Sequence, residues 1–93
     1  MDRRHYVEML RAKQKEWEAE IEKKKAQLEQ QKTKGAQTTQ KQLAEAEERL
    51  EDIRTRAEDL ADAGEDAWED LKEELEKRVD HFKKRLSDLL PDD

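Results

Sequence analysis

EQQKTKGAQTTQKQ, residues 29–42, holds a single apolar residue, Ala36, in a chain that elsewhere repeats apolar residues every three or four positions. Whether a helix runs through this stretch decides the fold. A continuous helix makes one long rod. A break makes a bundle. Gly35 can supply a left-handed helix stop. Thr39 and Gln42 have capping-box spacing for a restart. The heptad phase also slips here, because Leu28 predicts an apolar residue at 42 and the chain offers Leu43. A stutter inside a continuous helix gives the same slip.

On either side the pattern is helical. Before the gap the stripe runs Val7, Leu10, Gln14, Trp17, Ile21, Lys24, Leu28, the alternating spacing of a coiled-coil seam. Gln14 and Lys24 place polar groups on it. Tyr6 flanks its start. After the gap the stripe is Leu43, Ala46, Leu50, Ile53, Ala57, Leu60, Gly64, Ala67, Leu71. Its phase passes unbroken through Gly64. Local chemistry argues for a turn there: Asp62-Ala63-Gly64-Glu65 has capping-box spacing. Glu65, Asp66, Glu69 and Asp70 would crowd a new first turn, where the helix dipole favours negative charge.

The last segment is the most amphipathic. Trp68, Leu71, Leu75, Val79, Phe82, Leu86 and Leu89 share one face. Glu73/Lys77, Glu74/Arg78 and Asp80/Lys84 sit four apart on the outer face. Pro91 ends the helix.

Composition supports helices and little else. Charged residues make up 49% of the 93, and hydrophobic residues 32%, too few for a thick core. Glu, Lys, Ala, Leu, Arg and Gln dominate, and all favour helix. β-branched and aromatic residues are too few for a sheet. With no cysteine there is no disulfide and no thiolate chemistry. The longest apolar runs are two residues, such as Leu89-Leu90, far short of a membrane span. A soluble, cytoplasmic protein is the expectation. Residues 1–34 are net basic and residues 35–93 net acidic, which favours antiparallel packing within a chain or docking between chains.

Candidate chemistry is sparse. His81 has Lys77, Arg78, Lys84 and Arg85 as helical neighbours, and His5 has only Glu8 at i+3, so no metal site is expected. Acid–base catalysis needs a carboxylate desolvated in a pocket, and nearly all carboxylates here fall on solvent faces. No catalytic residue, cofactor or enzyme activity is expected. The one basic surface, Lys23-Lys24-Lys25 with Arg3, Arg4, Arg11, Lys13 and Lys15, is broken up by Glu16, Glu18, Glu20 and Glu22, and the net charge has the wrong sign, so nucleic-acid binding is not expected either. Contact of residues 65–90 with a membrane surface ranks second, because that segment is net acidic.

Two stretches, YVEMLRAKQKEWEAEIEKKKA (6–26) and LEDIRTRAEDLADAGEDAWEDLKEEL (50–75), resemble a group of small bacterial coiled-coil domain proteins of about this length. Tyr6, Trp17, Ala19 and Ile21, then Ala63, Gly64, Ala67, Trp68, Leu71 and Lys72, carry the likeness. The resemblance implies a helical fold type and no activity. It also implies that Gly64 is the shared break and that Gly35 is peculiar to this chain.

The expected architecture is all-α, a single domain over 1–93 with helical segments about 2–34, 37–62 and 65–90. The helices form an antiparallel hairpin coiled coil or a small bundle, closed by self-association. If the first two segments are continuous, a rod of roughly 90 Å carries a shorter helix folded back on it. The overhang then needs a second chain. If both glycines turn, a three-helix bundle becomes available to one chain. The expected interface is Val7, Leu10, Trp17, Ile21, Leu28, Leu43, Leu50, Ile53, Leu60, Trp68, Leu71, Leu75, Val79, Phe82, Leu86 and Leu89. The expected partners are further copies of the chain, making a homo-oligomer, or a docked helix of another protein. A coiled-coil structural or interaction module is the first functional expectation. An apolipoprotein-like or stress-protective amphipath that orders on lipid or client surfaces is the second.

Overall fold

A computed structural model describes residues 3–90 as three helices: α1 (Arg3–Glu29), α2 (Lys34–Asp62) and α3 (Glu65–Leu89). Position 2, placed in the first helical segment, and Pro91, read as the stop of the last, lie outside the described residues.

The polar stretch does break, but earlier than Gly35. After Leu28 the next positions on the seam are polar, so continuing α1 would bury nothing. The chain leaves the helix with the Gln31 N–H bonded to the Leu28 carbonyl at 3.0 Å. Thr33 then caps α2 from an extended backbone, its hydroxyl oxygen accepting from the Ala36 N–H at 3.0 Å. Two expectations are corrected. Gly35 is no helix stop; it lies in the first turn of α2 and has no positive φ. Thr39 is no cap; its hydroxyl donates to the Gly35 carbonyl at 3.0 Å from inside the helix. With α1 and α2 separate, no long rod forms. The longest dimension is 50 Å, against 20 and 18 Å across.

The chain turns again at Ala63 and Gly64. The Gly64 carbonyl accepts from the Ala67 and Trp68 N–H groups at 3.1 Å, and Glu65 and Asp66 fill the acidic first turn. Asp62 does not cap α3; it is the last residue of α2, and Gly64 holds the cap position with no side chain to offer. The unbroken heptad phase across Gly64 is therefore coincidental. Gly64 and Ala67 are both exposed, and α3 starts its own stripe at Trp68.

Antiparallel pairing of α1 with α2 and of α2 with α3 leaves α1 and α3 parallel. One continuous core joins all three, from Tyr6 and Trp68 at one end to Leu28, Leu43 and Leu86 at the other. Ile21, Leu43 and Leu60 are fully enclosed, and Phe82 and Leu75 nearly so. Division of labour among side-chain sizes shapes the bundle. α2 buries Ala36, Ala46 and Ala57 between its larger residues, so both neighbours approach it closely. Between α1 and α3 stand Tyr6, Trp17, Trp68 and Phe82, and among the described residues those two backbones stay more than 8 Å apart, Cα to Cα.

Candidate functional site

The three seams of the bundle differ in how they are closed. Across α1 and α2, the Lys25 ammonium meets Glu47 at 2.6 Å, the Gln40 amide donates to the Lys25 carbonyl at 3.3 Å, and Arg3 donates to the Ala63 carbonyl just beyond α2. Glu22 belongs to the same group: a hydrogen bond shared with Glu47, then the Glu47 charge, pushes its carboxyl above the ordinary range. The Lys25 hydrogen bond holds Glu47 below that range. Across α2 and α3, Arg56–Glu74 at 3.2 Å, Arg78–Asp52 at 3.3 Å and Arg85–Glu45 at 3.8 Å form a ladder in one antiparallel register. Within α3, Glu73–Lys77 and Glu74–Arg78 pair as their spacing predicts, whereas Asp80 and Lys84 are not within ion-pair distance.

The α1/α3 seam has no such ties. Among the described residues no cross-helix ion pair or hydrogen bond joins these helices. Rings close it instead. Tyr6 meets Trp68 edge-on, with centroids 6.1 Å apart, and Trp17 meets Phe82 at 5.2 Å. The Lys72 ammonium lies 5.3 Å from the Tyr6 ring centre. Above these rings runs a groove of about 350 Å³. Tyr6, Leu10, Trp17 and Val79 form its floor, and Met9, Lys13, Glu76, Asp80 and Lys83 its rims. Met9 is 42% exposed, the one large hydrophobic side chain so exposed among the described residues. Burial, then the Glu76 and Asp80 charges, pushes the Tyr6 phenol above its ordinary pKa.

Three other features have some of the makings of a site. At the Trp68 end, Arg3, Arg4 and Arg11 border a hollow of about 510 Å³. Arg3 is occupied there, lying 4.7 Å from the Trp68 ring centre while it binds Ala63, and Arg4 pairs with Glu8 at 3.6 Å. His81 lines a cleft between α2 and α3. Of its neighbours, Glu74 was read from the sequence only as the partner of Arg78 and Asp52 was not singled out; both are engaged by Arg56 and Arg78. Among the described residues, no three His, Cys, Asp or Glu side chains come together as a metal site. Gln14, on the α1/α2 side, is buried with its amide nitrogen unpartnered.

The sixteen seam residues named from the sequence all face this one interior, with Leu71 and Leu89 its partly covered members. No rim residue was among them; Asp80 was read only as an outer-face partner of Lys84. The signal of the rim was present: Lys13 and Glu20, and Glu76 and Lys83, are each seven apart, the spacing of two turns along one face. Among the described residues no helix is long and apolar enough to cross a membrane. No family model, no curated protein and no solved structure matches the chain.

Proposed function

We propose that this protein is a non-catalytic helical interaction module whose working face is the α1/α3 groove. The observation that carries the reading is the contrast between seams: two are laced by ion pairs, and the third is closed by rings, two of them carrying Arg3 and Lys72, beneath an apolar, Met9-flanked groove. A groove between helices, with an apolar floor and charged rims, accepts the apolar face of another amphipathic helix. Methionine suits such a rim because its unbranched thioether adapts to different contours. Helices presented in a folded bundle also favour protein docking over the second reading, in which a loose chain orders on lipid.

The test uses a designed 18-residue Leu/Lys amphipathic helix as probe, added to isotope-labelled protein. Amide signals of Met9, Lys13, Val79 and Lys83 are expected to move, and those of α2 to stay. Met9→Glu should abolish the shifts without unfolding the bundle. Shifts spread evenly over all three helices would overturn the reading.

A further inference from the structure

We infer that the occupant of this groove is a second copy of the same chain, related by a two-fold axis that sets the facing helices antiparallel. The inference rests on the groove being a docking face, and it adds the identity of the partner.

Charge geometry carries it. The ring pairs Tyr6–Trp68 and Trp17–Phe82 fix the register of the parallel helices, placing each α1 residue level with the α3 residue 62 to 65 positions later. Lys13 is therefore level with Glu76. Glu20 is exposed two turns further along the Lys13 face, and it is level with Lys83. The rims thus carry four charges at the corners of a rectangle, positive then negative along α1 and negative then positive along α3; Lys13 and Glu76 also make solvent-facing pairs along their own helices, with Glu16 at 3.5 Å and Lys72 at 3.8 Å, of the kind worth little. The rectangle is roughly 10 Å tall, seven residues of helix rise.

Such a pattern is its own complement. A two-fold contact brings residue i against j and j against i. Turning a second copy over about an axis across the groove, level with Trp17 and Val79, sets Lys13 against the partner's Glu20 and Glu76 against the partner's Lys83. Each pair forms twice. A two-fold along the helices would also match signs, pairing Lys13 with the partner's Glu76. The antiparallel arrangement is the one inferred, and the charge swaps below separate the two. Asp80 works against the contact, since it lies near the axis and would approach its own copy. The area is small, so the dimer belongs to the weak, transient end of the interface range.

The experiment is a charge swap followed by sedimentation over a concentration series reaching the millimolar range. The wild-type chain is expected to dimerise. Lys13→Glu should weaken dimerisation by at least tenfold, and Lys13→Glu with Glu20→Lys should restore it. Asp80→Asn should tighten it. Rescue by Glu76→Lys in place of Glu20→Lys would overturn the antiparallel arrangement. Monomer mass at every concentration would overturn the dimer; if the Leu/Lys probe still shifts the groove signals, the docking face stands and only the identity of its occupant falls. Circular dichroism of each variant confirms that the bundle remains folded.

Discussion

Trp17 and Phe82 meet with ring centroids 5.2 Å apart and planes tilted by 57°. They join α1 to α3 where no Cα of one comes within 8 Å of the other. The pair therefore acts as both spacer and bond. Phe82 is 1% exposed and Trp17 8%, so the contact lies in the core beneath the groove, with only Trp17 reaching its floor.

Truncation at this contact should be severe. Trp17→Ala is expected to cost about 3–5 kcal/mol, a large share of the stability of so small a domain. Phe82→Ala should cost a similar amount. A double-mutant cycle in urea should show about 0.5–1.5 kcal/mol of coupling between the rings. Strict additivity would show that the rings merely fill space.

Gln14 offers the opposite experiment. Its side chain sits in the α1/α2 seam with the amide nitrogen buried and unpartnered. A buried polar group left without a partner costs about 1–3 kcal/mol. Gln14→Leu is therefore expected to raise the urea midpoint without changing the slope of the transition. An unchanged or lowered midpoint would show that the amide is satisfied in solution.

The helical character was legible because it rests on spacing, which a helix converts directly into a face. Val7, Leu10, Trp17 and Ile21 line up whatever surrounds them. The first break was misplaced because Gly35 has the composition of a stop, whereas the actual stop is a deficit: after Leu28 nothing remains to bury, and Thr33 caps the next helix. The turn at Gly64 was legible from the acidic residues that follow it, although the heptad phase runs on through it. Heptad spacing cannot register a chain reversal, and Ala67 continues the pattern while lying exposed. The groove was illegible from any single helix. Its floor depends on Tyr6 and Trp17 standing opposite Trp68 and Phe82, and its rim charges matter only once α1 and α3 are known to be parallel.

The cap assignment can be tested directly. Thr33→Ala should cost about 0.5–2 kcal/mol, because the Ala36 N–H loses its acceptor. Thr39→Ala should be close to neutral, since that hydroxyl is exposed and only bonds back along its own helix. Gly35→Ala should stabilise by about 0.5–1 kcal/mol. The added methyl meets nothing nearer than the Thr33 hydroxyl at 4.0 Å, and Gly35 needs no positive φ. Thermal melts of the three variants decide the matter. A larger loss at Thr39 than at Thr33 would move the break back toward Gly35.

The Lys25, Glu47 and Glu22 group should give stability a composite pH dependence. Glu47 is held low, first by its hydrogen bond from Lys25. Its contribution is complete above the unfolded carboxylate value of about 4.3 and is lost as pH falls through the depressed folded value. Lys25 is pushed up, first by the same hydrogen bond. Its contribution is complete below about 10.4 and is lost as pH rises through the elevated folded value. Glu22 has the other sign: raised by Glu47, it favours the fold only in acid, and that support disappears as pH rises through its folded value. At neutral pH, then, Glu47→Gln should destabilise and Glu22→Gln should stabilise. Both effects should shrink in acid, that of Glu22→Gln as pH falls through the raised folded value of Glu22 and that of Glu47→Gln only as pH falls through the depressed folded value of Glu47. The Lys25–Glu47 pair keeps roughly a third of each side chain in water, so its coupling is about 0.5–1 kcal/mol. Urea titrations at a series of pH values measure all three. Destabilisation by Glu22→Gln at neutral pH would mean that Glu22 pairs with Lys25 instead of competing with Glu47.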